Sequence, residues 1–180
     1  MWMAIKTAFG GSNSYQYFRL EGTRIANQCD SIELKNWMTK LKSEEPILVQ
    51  QAAAVCYAVS DLSPDLFRPY QKELIRVIKN NIHPAGPRFA YRLFCEISID
   101  KESIGDVIDL SFKALMNRSS PVAVQVFAMT LIANNLKQYP DLAIELEAAL
   151  IHGLDKGSAG YQSRARKIAQ RHGLKLDEKP

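Results

Sequence analysis

The sequence predicts an all-α protein, a right-handed α-α superhelix of about three helix pairs closed by terminal capping helices. Three observations predict it. No segment alternates apolar and polar residues with period two for long enough to form a strand. Apolar helical segments open at Pro46, Pro84, Pro121 and Ser158, at intervals of 38, 37 and 37 residues. Inside them Ala52, Ala90, Ala128 and Ala165 recur at intervals of 38, 38 and 37. A small residue at one depth of successive helices is what close helix packing requires.

Taken in order, the first residues, Met-Trp-Met-Ala-Ile-Lys-Thr-Ala-Phe-Gly-Gly-Ser, place a lysine inside a mildly apolar segment. A signal peptide carries its charge in front, so this start reads as a weak helix or ragged end. Residues 14–29 form a helix with Ser14 as N-cap and Tyr15, Phe18, Ile25, Ala26 and Cys29 on one side, although Gly22 weakens its middle. A second helix starts at Asp30 or Ser31 and runs to Leu41, with Leu34, Trp37, Met38 and Leu41 on one face.

The repeat follows. Proline suits a helix's first turn, because its fixed φ is helical and its missing N–H has no partner there. Each opening helix leads through a turn into a second one. Asp61-Leu-Ser-Pro64 leads to a helix ending near Asn80, Asp100-Lys-Glu to one ending near Asn117, and Tyr139-Pro-Asp to one ending at Gly153. Phe67, Tyr70, Leu74, Val77 and Ile78 share a face in the first of these, as do Leu142, Leu146, Ala149 and Leu150 in the third. Asn80-Asn81, Asn117 and His152-Gly153 are suitable stops. The segment Pro121 to Ala133 is apolar around most of its circumference, so it is expected to be the inner rung, covered on each side, with Phe127 in the core.

A helix pair of about 37 residues is closest to the HEAT or armadillo class of solenoids, and the tetratricopeptide pattern of Trp, Leu-Gly and Tyr is absent. The organisation expected is one repeat domain over 1–180, with N-terminal caps at 1–45 and helix pairs at 46–83, 84–120 and 121–157. A basic capping helix follows at 158–172 and a flexible tail at 173–180.

Of a net charge of +4, residues 159–180 hold six basic and two acidic groups, so the basic surplus sits at one end. An electrostatic nucleic-acid binder spreads such charge along a face. The longest apolar run is far short of the roughly 20 residues that span a bilayer. Cys29, Cys56 and Cys95 are odd in number and widely spaced, which fits reduced thiols in the cytoplasm. Cys56 and Cys95 are expected to be packing thiols. His83, His152 and His172 lack metal-ligand spacing. No catalytic, metal or cofactor residues are assigned, and no small-molecule substrate or membrane partner is expected.

Two groups of residues stand as candidate surfaces. Arg88, Arg92 and Glu96 fall at i, i+4 and i+8, either as a solvated face with an intrahelical ion pair or as a contact surface. Neighbouring helices place Gln125 and Gln162 at the depth of Arg88, and Arg166 and Lys167 at that of Arg92, a polar ladder across the stack. The second group is Ser158, Gly160 and Arg164. Free N–H groups at this helix start could hold an anion, while Ser158 equally serves as an ordinary N-cap.

The segments Asp109-Leu-Ser-Phe-Lys-Ala-Leu-Met116, Pro121 to Met129, Tyr139-Pro-Asp-Leu142 and Gly157 to Lys167 resemble a family of small bacterial HEAT-like proteins, and the likeness extends more loosely back to Pro46. What it implies is an armadillo-type α-solenoid, with no catalytic residues attached. Members of that family are sometimes labelled adenylosuccinate lyases. Of the lyase superfamily's mobile loop, Gly-Ser-Ser-x-Met-x-x-Lys-x-Asn, this chain matches only Gly157-Ser158-Ala159, without the methionine, lysine and asparagine that follow. The expectation is therefore a non-enzymatic module that binds a protein or peptide through the polar face of its repeats. The alternative is a nucleic-acid-binding protein built like the HEAT-like DNA alkylation-repair glycosylases.

Overall fold

A computed structural model of the chain describes residues 13–155 and 157–176. All regular structure among them is helical. The chain forms two compact units divided between Leu93 and Phe94. The division falls in the last turn of the helix that opens the expected 84–120 repeat.

The first unit contains α1 (Asn13–Gln28), α2 (Ser31–Leu41), α3 (Pro46–Leu62), a 3-10 helix (Pro64–Tyr70), α4 (Gln71–Asn80) and most of α5 (Ala85–Phe94). The backbone is already helical at Asn13, so Ser14 lies inside α1 and is not its cap; the side chains of residues 13–15 are outside the described set. Phe18, Ile25 and Ala26 are buried as the spacing predicts. Cys29 is exposed because α1 has ended: the residue takes a left-handed φ of 50° while Asp30 N–H reaches back to Ile25 O. Asp30 then caps α2, its Oδ1 accepting from Glu33 N–H at 3.0 Å. That bond and the Arg24 guanidinium hold the Asp30 carboxyl below the usual carboxylate range.

Gly22 has a packing role in α1. A Cβ there would stand 2.5 Å from Val55 O and 2.6 Å from the Ala58 methyl, so only glycine admits α3 at this distance. The second element of the first repeat is split. Pro69 lacks the N–H that an α-helix needs in its interior, so the chain runs as a 3-10 helix through Tyr70 before α4 begins. Phe67 and Tyr57 meet Phe89 edge-to-face at 5.4 and 5.2 Å, which ties the 3-10 helix, α3 and α5 into one core. Asn81 ends α4 in the left-handed conformation, φ 45°, with its N–H on Val77 O.

The second unit contains α6 (Lys101–Met116), α7 (Val122–Asn135), α8 (Leu142–Leu154) and α9 (Ala159–His172). α7 packs on α6, α8 and α9, while α8 packs on α6 and α9. This makes two layers, α7 beside α9 and α6 beside α8. The four recurring alanines, Ala52, Ala90, Ala128 and Ala165, are all fully buried at 0% exposure.

The apolar α7 is less enclosed than its composition predicts. From Ala128 onward it is buried on most sides, through Met129, Leu131, Ile132 and Ala133. In its first turns Val122 is exposed, and Ala123, Val126 and Phe127 are only half-buried. Phe127 is thus a rim residue and not a core one.

α8 continues one residue past Gly153, the expected stop. Gly153 serves packing instead: a methyl there would overlap the Tyr161 hydroxyl. Tyr161 is buried and donates its O–H to Ala149 O at 3.2 Å.

Candidate binding surface

In the second unit, α7 and α9 run parallel, so their exposed sides form one continuous surface. At one end a Cβ on Gly160 would meet Val122 Cγ1 at 3.5 Å. At the other, Ala133, Asn134 and Lys137 share a cleft with Arg171 and His172. Along α7, Ala123, Phe127, Thr130 and Asn134 fall on one side at helical spacing, all half-buried or exposed, and Lys137 continues the row beyond the helix end. Along α9, Gly160, Arg164, Lys167 and Arg171 form the adjoining row, all exposed. The result is a shallow apolar and hydroxyl-bearing strip flanked by guanidinium and ammonium groups. Arg164, Lys167 and Arg171 make no hydrogen bond or ion pair among the described residues.

Three other polar side chains of these helices, Gln125, Gln162 and Arg166, are engaged with the chain itself. Gln125 donates to Asn117 O at 3.3 Å. Gln162 donates to Leu154 O and Gly157 O, both at 3.1 Å, and its own Oε1 accepts from Arg166 at 3.4 Å. Gln125, Gln162 and Arg166 therefore hold the turns that precede their helices, whereas Lys167 lies on the open α7–α9 surface. Ser158 Oγ accepts from Tyr161 N–H at 3.2 Å and so caps α9. Gly160 and Arg164 of the candidate anion site are exposed nearby.

Cys95 lies beneath this surface, its thiol donating to Phe127 O at 3.4 Å. Burial first, and the Glu96 carboxylate second, push it up to about 12 despite the opposing charge of Arg164. Cys56 in the first unit is fully buried and shifted upward by burial alone. Both thiols are poor nucleophiles in these surroundings.

In the first unit Arg92 is committed. Its guanidinium pairs with Asp61 at 2.6 Å and lies 5.2 Å from the centre of the Tyr57 ring, which fastens α5 to α3. Arg88 is exposed on the same helix. Glu96 falls beyond the end of α5 at Phe94, so Arg88, Arg92 and Glu96 do not share one helical face.

Among the described residues no group of three or more His, Cys, Asp or Glu side chains is placed to hold a metal ion. None of the described helices is long and apolar enough to cross a membrane. Sequence reasoning missed Phe127, Thr130, Arg171 and Lys137 as surface residues, and the first two were hidden because most of α7 around them is apolar.

A family model for the HEAT repeat domain matches residues 22–172. No curated protein and no solved structure matches the chain.

Proposed function

Because the chain belongs to the HEAT repeat family, we propose that it is a non-enzymatic interaction module that holds a protein or peptide partner. Repeat proteins of stacked helix pairs use extended helix-layer surfaces for binding. The observation that carries the reading is the α7–α9 surface, where half-buried Phe127 and Thr130 adjoin Arg164, Lys167 and Arg171, all exposed and without an ion pair among the described residues. An aromatic anchor beside arginines is the composition of a protein interface core and its rim. The candidate residues Lys167 and Arg164 belong to this surface directly. Gln125, Gln162 and Arg166 support it by fixing the turns before α7 and α9. Free thiols support a cytoplasmic setting for the module.

The exposed cations of α9 also fit the alternative, a nucleic-acid partner, and a salt series separates the two. The immobilised chain is offered a native lysate at low and at physiological salt, while generic duplex DNA is titrated in parallel. We expect a defined protein partner to be retained at physiological salt and DNA binding to collapse over the same range. DNA binding that stays tight at physiological salt would overturn the reading.

A further inference from the structure

The basic row on α9 ends at a cleft. We propose that this cleft, between the C-terminal ends of α7 and α9 and the start of α8, receives an acidic peptide segment of the partner, one carboxylate side chain beside an aliphatic one. The proposal rests on the interaction-module reading in taking a polypeptide as the occupant.

The cleft has a volume of about 440 Å³, within the range of about 300–1,000 Å³ typical of ligand sites. Buried Leu136, together with the exposed Pro140, gives its lining an apolar part, and the exposed Asn134, Lys137, Arg171 and His172 a polar one. A lysine, an arginine and an imidazole thus line one opening, with no carboxylate among its described lining residues.

Cations at helix C-termini ordinarily serve the helix, by meeting its last carbonyls and its dipole. Here backbone and amide groups already do part of that work. At the end of α7, Leu131 O accepts from the Asn135 side chain, Ala133 O from Leu136 N–H, and Asn135 O from Gln138 and Tyr139 N–H. At the end of α9, Ala169 O accepts from Gly173 and Leu174 N–H. The side chains of Lys137, Arg171 and His172 make no hydrogen bond or ion pair with the other described residues. A carboxylate suits a guanidinium and an ammonium together, with the Asn134 amide as a further donor. An adjoining aliphatic side chain suits Leu136 and Pro140. Arg164 and Lys167, upstream on the same row, extend the attraction to acidic residues flanking the one seated.

The test is a selection of random octapeptides on the full chain, repeated on Lys137→Ala with Arg171→Ala, followed by titration of the best peptide into isotope-labelled protein by NMR. The expected result is enrichment of Asp or Glu next to an aliphatic residue. The double variant should bind the selected peptide about ten-fold more weakly or worse. Amide shifts should centre on Asn134, Lys137 and Arg171. Neutral or basic peptides, unchanged binding by the double variant, or shifts centred elsewhere would overturn the cleft proposal and leave the interaction-module reading standing. If no peptide is enriched while a protein partner is still captured from lysate, the cleft proposal falls alone. If neither occurs, both fall. Inorganic phosphate and succinate, titrated separately, form the last arm: saturable shifts of the cleft residues with either one, and none with the peptide, would identify a small-anion site and overturn the peptide occupant.

Discussion

Gln125 and Gln162 stand 37 residues apart and make the same bond, each donating its side-chain amide to the carbonyl eight residues upstream, Asn117 O and Leu154 O respectively. Each ties the C-terminal end of one helix to the first turn of the next, so a polar repeat position works as a clasp. The second clasp is the stronger, since Gln162 also reaches Gly157 O and is itself held by Arg166. Gln162→Ala should therefore cost about 1 kcal/mol, lowering Tm by about 2–4 °C. Gln125→Ala, losing a single longer bond, should cost less than half as much. Thermal denaturation followed by circular dichroism checks the order, and an equal or reversed pair of shifts would contradict it.

Glycine-to-alanine changes should take opposite signs at two helical positions. Gly105 on α6 has nothing within 4 Å of a built Cβ, so Gly105→Ala should stabilise by about 0.5–1 kcal/mol through helix propensity. Gly22→Ala gains the same propensity but drives a methyl into Val55 O and Ala58, and should destabilise by about 1–3 kcal/mol. Urea midpoints of the two variants give the answer. Stabilisation by both would mean that α1 and α3 are not in this contact.

Along α7, Leu131 is fully buried and Phe127 only half-buried. Leu131→Ala should cost about 2–5 kcal/mol, and Phe127→Ala, short of the full core value, about 1–2 kcal/mol. Equilibrium unfolding of both variants tests the placement, which fails if Phe127 proves the costlier residue.

Thiol chemistry should separate the cysteines. Cys29 is exposed and should react promptly with a chromogenic disulfide in the folded protein, the partly exposed Cys95 with its raised thiol much more slowly, and the buried Cys56 only on unfolding. The Cys95 thiol is raised from 9.0 to about 12, so the folded state holds its proton where the unfolded state releases it. The stability this contributes is full below about pH 9 and is lost as pH rises toward 12. Comparing urea midpoints at neutral and alkaline pH, Cys95→Ala should lose less stability than the parent chain; an identical loss would refute the assignment.

Much of this fold was legible because its signals are periodic. Ala52, Ala90, Ala128 and Ala165 announced helices in close contact, and each is fully buried. The stops at Asn81 and Asn117 and the cap at Ser158 carried their own chemistry. The 3-10 helix was also within reach, since Pro69 forbids the α-helix read through it. The surface was harder. Phe127 looks like core because most of its helix is apolar, and the few polar residues there, Gln125 and Thr130 among them, do not gather on one side to give a direction. Gln125 looks the same in sequence whether its amide faces solvent or a turn carbonyl. Lys137 and Arg171 come from different repeats and meet only when α7 and α9 pack in parallel.

The most direct test of the interaction-module account is partner capture by Arg164→Glu with Lys167→Glu, two exposed positions on the α9 row. Surface changes of this kind alter stability by no more than about 0.5 kcal/mol, so Tm should stay within about 2 °C of the parent. The protein partner captured from lysate by the parent chain should be lost from the double variant. Capture at the parental level by a variant with parental Tm would show that the α7–α9 surface is not where this protein binds.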